Sequence, residues 1–123
     1  MANTIEARAA TLDIVLEEGA GLTISMTKYD KDKNFVDLSG YTGRLTVRRS
    51  LSSPTTLLEL TTANAKIVLG TAALDNIKLI FSEADVIAAA AVWTSGLYNF
   101  YLTPASGDST REISGTITIA EDT

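Results

Sequence analysis

The segment Gly96 to Ile119, GLYNFYLTPASGDSTREISGTITI, consists of two alternating apolar runs around one turn, which restricts the chain to folds that close on a β-hairpin. Tyr98, Phe100 and Leu102 share one parity, while Leu97, Asn99 and Tyr101 share the other. Bulky groups on both sides mark a strand that is covered on two faces, or one whose second face meets another protein. Pro104 to Asp108 supplies the turn. The return run sets Ile113, Ile117 and Ile119 on one side, with Glu112, Ser114, Thr116 and Thr118 outside. Arg111 and Gly115 share the parity of the isoleucines. Gly115 is read as a bulge or close backbone approach, and Arg111 as a rim contact to a carboxylate or carbonyl.

The preceding chain is mostly strand-like. Residues 1–10 have no clear period and are read as an arm or strand lead-in, with one β-domain over residues 11–123. Leu12, Ile14 and Leu16 alternate with Asp13 and Glu17, and after a glycine-bearing break Leu22, Ile24 and Met26 alternate with Thr23, Ser25 and Thr27. These predict two consecutive antiparallel strands. Asp30, Asp32 and Asn34 have the spacing that opens a calcium loop, but Phe35 stands where that loop needs glycine and Tyr41 where it needs glutamate. A solvated hairpin tip is the reading that remains. Leu45 and Val47 alternate with an Arg44, Arg48 stripe that should face solvent or a partner. Leu57 to Leu60 and Lys66 to Leu69 suggest a small hairpin or two strand fragments, and Ile77, Leu79 and Phe81 a core strand with Asn76, Lys78 and Ile80 on its opposite side. Ser82 then begins a helix of about three turns, with Asp85 in a capping arrangement and Val86, Ala90 and Trp93 on one face.

With no cysteine and no histidine, the chain has no disulfide, thiolate or imidazole chemistry, and it lacks the phosphate-binding and nucleophile-elbow glycine motifs. No catalytic, cofactor-binding or metal-ligating residue is nominated, and a non-enzymatic role is expected. A net charge of -5 with dispersed cations argues against a nucleic-acid partner. No apolar run reaches the ~20 residues of a membrane helix, and the first ten residues carry no signal-peptide core, so no membrane partner is expected.

The order of features has a resemblance. A glycine-rich turn at Gly19 and Gly21 precedes Asp37-Leu38-Ser39-Gly40-Tyr41-Thr42 and a strand ending Val47-Arg48. A short helix follows, then Gly96-x-Tyr98-x-Phe100-x-Leu102 and Gly107-x-x-x-Arg111-x-Ile113-x-Gly115-x-Ile117-x-Ile119. This resembles the small immunoglobulin-like domains of tailed-bacteriophage virion proteins, such as the N-terminal domain of baseplate upper proteins and short tail-module proteins, over about Leu12 to Ile119. The resemblance implies an all-β, immunoglobulin-like antiparallel β-sandwich with one short helix before the C-terminal hairpin. In that family the matching positions are structural, so the hairpin held by Tyr98 and Phe100 and the Arg111 rim contact carry over. It further implies a structural subunit of the tail or baseplate, made in the host cytoplasm, located in the virion and joined to other virion proteins as part of a symmetric homo-oligomeric assembly. Because the sequence stops at Thr123, a joining or anchoring subunit is expected rather than a receptor-binding fibre tip. The alternatives are a capsid decoration or head-fibre base protein and, in a different class, a carbohydrate-binding module using its tyrosines and tryptophan.

Val15, Leu57, Ile80, Leu97 and Tyr101 are apolar residues whose parity opposes the inferred core face, and with Arg111 they form the expected partner-facing set. The competing expectation is that the other sheet or the helix covers both faces of their strands.

Overall fold

The computed structural model describes residues 10–50 and 52–120. The expected arm lies outside them except for Ala10, which opens the first strand. Among the described residues, nine strands and a helix follow in chain order as β1 (Ala10–Thr11), β2 (Ile14–Glu17), β3 (Leu22–Met26), β4 (Thr42–Arg48), β5 (Leu58–Thr61), β6 (Ile67–Leu69), β7 (Ile77–Phe81), α1 (Glu83–Ala90), β8 (Ser95–Thr103) and β9 (Thr110–Ala120). The larger sheet runs β1-β9-β8-β4-β5, with β2 also on β9, and the smaller runs β3-β7-β6.

This is an immunoglobulin-like β-sandwich, and its strand order shows it. Counting β1 and β2 as one interrupted first strand, the second, fifth and sixth strands in chain order (β3, β6 and β7) make one sheet. The third, fourth, seventh and eighth make the other, as in the variable-type arrangement. The first strand lies parallel to the last, Ile14 opposite Ile117 and Leu16 opposite Ile119. Here the structure corrects a sequence expectation. β2 and β3 are consecutive but do not pair, because the break at Glu18 to Gly21 carries the chain from one sheet to the other. Likewise β5 and β6 do not form a hairpin; β5 joins β4 in the larger sheet and β6 joins β7 in the smaller.

Alternation explains the core. Leu45 and Val47 of β4, Leu60 of β5, Ile77, Leu79 and Phe81 of β7, Tyr98, Phe100 and Leu102 of β8, and Ile113, Ile117 and Ile119 of β9 are all buried between the sheets. An immunoglobulin disulfide is impossible without cysteine, so this apolar packing carries the inter-sheet stability. The helix is two turns rather than three, since it ends at Ala90. The Ser82 hydroxyl accepts from the Asp85 amide at 3.2 Å, and the Asp85 carboxylate pairs with Lys66 at 2.6 Å, tying the first turn to the start of β6. Val86, Ala89 and, just past the helix, Trp93 are buried, so this segment seals the passage from β7 to β8.

Leu12 does not join Ile14 and Leu16 inside; it is 38% exposed. The chain breaks between β1 and β2 there, the Leu12 carbonyl accepting the Tyr98 hydroxyl while the Asp13 carboxylate accepts the Thr116 amide and hydroxyl at 3.2 and 2.9 Å. A Cβ at Gly115 would run into that carbonyl, so the close approach expected at Gly115 is to the first strand.

Asn76, expected on the outer side of its strand, is buried at 3% exposure. Its side-chain oxygen accepts the Lys28 amide and its side-chain nitrogen donates to the Val36 carbonyl, both at 2.8 Å. It thereby clamps both ends of the 28–36 loop. That loop is the expected hairpin tip, with Tyr29 bridged to Phe35 and the Asp30 carboxylate accepting the Asp32 and Asn34 amides. The next turn is set by Asp37, whose carboxyl is held below its ordinary value by the Ser39 hydroxyl and then by the Ser39 amide.

Candidate partner-binding face

Every second residue of β4, β8 and β9 points away from the core, and the register lines these residues into rows. Arg44, Tyr101 and Arg111 form one row, Thr46, Asn99 and Ser114 the next, and Arg48, Leu97 and Thr116 a third. No described strand or helix packs over this face: the larger sheet meets the smaller sheet on its other side, through the buried residues already named. The surface dips into a shallow groove of about 270 Å³ lined by Arg44, Thr46, Arg48, Leu97, Asn99 and Tyr101.

Two of the arginines are held in place. The Arg44 guanidinium sits 5.7 Å from the centroid of the Tyr101 ring, and the Arg48 guanidinium donates to the Ser53 carbonyl at 2.9 Å. Among the described residues, Arg44, Arg48 and Arg111 form no ion pair. The acids bordering the face are Asp13 beside Thr116 and Glu59 opposite Thr46 on the edge strand, and neither forms an ion pair with these arginines. Cations stand at three corners around an amide, a phenol and a leucine.

Arg111 reaches this face through an irregularity that parity does not show. The β8–β9 register shifts between Phe100 and Tyr101, so that Phe100 faces Ile113 but Tyr101 faces Arg111, leaving Glu112 as the extra residue. This corrects the reading that Arg111 shares the isoleucine side. Glu112 instead pairs with Lys28 at 2.6 Å and accepts the Thr110 hydroxyl, which fastens the bulge to the neighbouring loop.

The expected partner-facing residues are divided among three places. Leu97, Tyr101 and Arg111 lie together on the outer face of the larger sheet. Val15, 56% exposed, extends the same sheet at its edge, opposite Thr118. Ile80 belongs to the other side of the molecule, on the smaller sheet opposite Thr23. Leu57 packs against the core as β5 begins, its amide donating to the Val47 carbonyl. Thr46 and Asn99 also line the groove, at the parity of Arg44 and Tyr101, although the expected partner-facing set contains neither. Parity shows the Arg44, Arg48 stripe, and only the strand pairing sets it beside Tyr101 and Leu97.

Among the described residues no group of acids could hold a metal ion, and no helix is long and apolar enough to cross a membrane.

No family model matches the chain, and no curated relative does. Solved structures do show similarity. Tim-1 is 13% identical with a TM-score of 0.49, covering 94% of this chain and 97% of that one. The extracellular domain of the voltage-gated sodium channel beta4 subunit, described as a parallel homodimer in cell–cell adhesion, is 11% identical with a TM-score of 0.47 over 94% of this chain and 96% of its own. Drosophila OTK extracellular domains 3–5 give 16% identity and a TM-score of 0.42, over 87% of this chain and 32% of theirs. None is described as a phage protein. All fall below a TM-score of 0.5, so the immunoglobulin-like description rests on the strand order of this chain itself.

Proposed function

We propose that the chain is a non-enzymatic structural subunit of a tailed-phage virion, in the tail or baseplate, that joins other virion proteins through the outer face of its larger sheet. One observation carries the binding part of this reading. Leu97 and Tyr101 are half-buried in the middle of an uncovered sheet face, ringed by arginines that pair with no acid among the described residues. Apolar and aromatic centres with a polar rim are the composition of protein interfaces, with tyrosine and arginine the enriched residues. The virion setting is supported by the resemblance of the hairpin and of the Asp37–Thr42 turn, and the non-enzymatic role by a chain without histidine or cysteine.

Mass spectrometry of purified phage particles is the test, with the protein expected at a stoichiometric level. Its absence from particles would contradict the virion reading. Antibody labelling on intact particles then separates tail from head, and label on the capsid would replace the tail assignment with a decoration role.

A carbohydrate-binding reading has one observation in its favour. Tyr29 and Phe35, both exposed on the 28–36 loop, place their ring centroids 5.5 Å apart. Tyr101 is the poorer sugar platform, since Arg44 stands over its ring. Glycan-array binding abolished by Tyr29→Ala and Phe35→Ala would support this reading over the first.

A further inference from the structure

We infer that the occupant of the outer face is an extended acidic segment of another protein, with carboxylates at alternate positions, and not a second copy of this chain placed face to face. The inference rests on the reading that this face binds protein, and it adds the chemistry of the partner.

The geometry of the rows supports it. Arg44 and Arg48 are four residues apart on one strand, about 13 Å at the ordinary rise, and Arg44 and Arg111 are two strands apart, about 10 Å. In an extended peptide laid along β8, side chains at i, i+2 and i+4 point to one side and span the same distance of about 13 Å. A carboxylate at i then meets Arg48, and one at i+4 falls between Arg44 and Arg111. The residue at i+2 lies over Asn99 and Thr46, where an amide and a hydroxyl offer both donors and acceptors. Leu97 and Tyr101 supply apolar floor under the peptide backbone and side-chain stems. Because Arg44 is stacked on Tyr101 and Arg48 is tethered to the Ser53 carbonyl, less side-chain freedom remains to be lost when their guanidinium groups take a carboxylate.

Charge disfavours the symmetric alternative. An isologous contact centred on β8 would bring the Arg44, Arg48 and Arg111 side chains of two copies together, a like-charge juxtaposition. Nucleic acid is disfavoured on two grounds, the wide spacing of the cations and the overall charge of -5, which repels a polyanion at a distance.

The test uses the full chain and a fluorescein-labelled peptide alternating glutamate and threonine, followed by anisotropy, with an alternating lysine and threonine peptide, heparin and single-stranded DNA as comparisons. The glutamate peptide is expected to bind at about 50 mM salt and to weaken about tenfold or more by about 300 mM. It is expected to lose binding in an Arg44→Glu, Arg48→Glu double variant, while Lys78→Glu on the smaller sheet leaves it unchanged. Equal or tighter binding of heparin or DNA, loss of binding with Lys78→Glu, or no peptide binding at low salt would overturn the inference. Incorporation into particles separates it from the broader reading. If Leu97→Ser with Tyr101→Ser prevents incorporation but the double arginine variant does not, the face binds protein and the acidic partner is wrong. If neither pair affects incorporation, the face itself is wrong.

Discussion

The two sheets have similar inner faces and very different outer ones. Inside, both contribute alternating aliphatic and aromatic groups, such as Leu79 and Phe81 on β7 and Phe100 and Leu102 on β8. Outside, the smaller sheet carries Thr23, Ser25, Val68, Lys78 and Ile80, a mixture of short polar, aliphatic and single cationic groups. The larger sheet carries Arg44, Arg48, Arg111, Tyr101, Leu97 and Asn99 in register. A solvated face needs only the first composition. Long, ordered, rotamer-rich side chains around an aromatic centre cost entropy that water alone does not reward, which is why the larger sheet is read as the working surface.

The largest effect is expected from one strand that takes part in both worlds. Phe100→Ala on the inner side of β8 should cost about 3–5 kcal/mol, a large share of the stability of such a domain, measured by urea unfolding. Tyr101→Ser, one residue on, should cost about 1 kcal/mol or less and impair partner binding instead. Equal losses of stability would erase the distinction between the faces.

Next comes the clamp that holds the first strand. Gly115→Ala sets a Cβ against the Leu12 carbonyl and should cost about 2–3 kcal/mol, with amide exchange accelerated in residues 10–17 before the rest of the sheet. Unchanged exchange there would show that the first strand accommodates the methyl group.

Tyr98→Phe removes the donor to the same carbonyl, for about 1–2 kcal/mol. It also changes the response to alkali. Burial first, and the Asp13 carboxylate second, push the Tyr98 phenol up to about 12. In the unfolded chain it ionises near 10, so its stabilising contribution is whole below pH about 10 and is lost as the pH rises towards about 12. Phenylalanine should abolish that part of the alkaline loss, as read from unfolding midpoints across the same pH range.

The smallest effect on stability is expected from the outer arginines. Arg44→Glu and Lys78→Glu, on the two outer faces, should each stay within about 0.5 kcal/mol in thermal unfolding. A much larger loss with Arg44→Glu would make its stacking on Tyr101 structural.

Much of this was legible in local parity. The inner residues of β4, β7, β8 and β9, the turn at 104–108, the Ser82 cap and the hairpin tip at 30–34 follow from periods of two or from turn chemistry within a few residues. What parity does not contain is which strands meet. β2 lies beside β9 rather than β3, a contact about a hundred residues apart in sequence, and β5 and β6 part company because each finds a different neighbour. Arg111 changes sides because the ladder slips by one residue, which depends on both strands at once. Asn76 looked like a surface residue because its partners, Lys28 and Val36, lie in a loop whose folded position the sequence does not give. The candidate face was thus half visible: its residue types could be seen, but their assembly into rows required the register.

The absence of cysteine allows the central claim to be tested by single-site labelling. Thr46→Cys, a near-isosteric change in the groove, and Ile80→Cys place one thiol on the larger and one on the smaller outer face, and maleimide reaction rates are compared between the free protein and particles that have incorporated it. The account predicts that the thiol at position 46 becomes strongly protected on incorporation while that at position 80 keeps its free reactivity. Protection at position 80 with full reactivity at position 46 would contradict it.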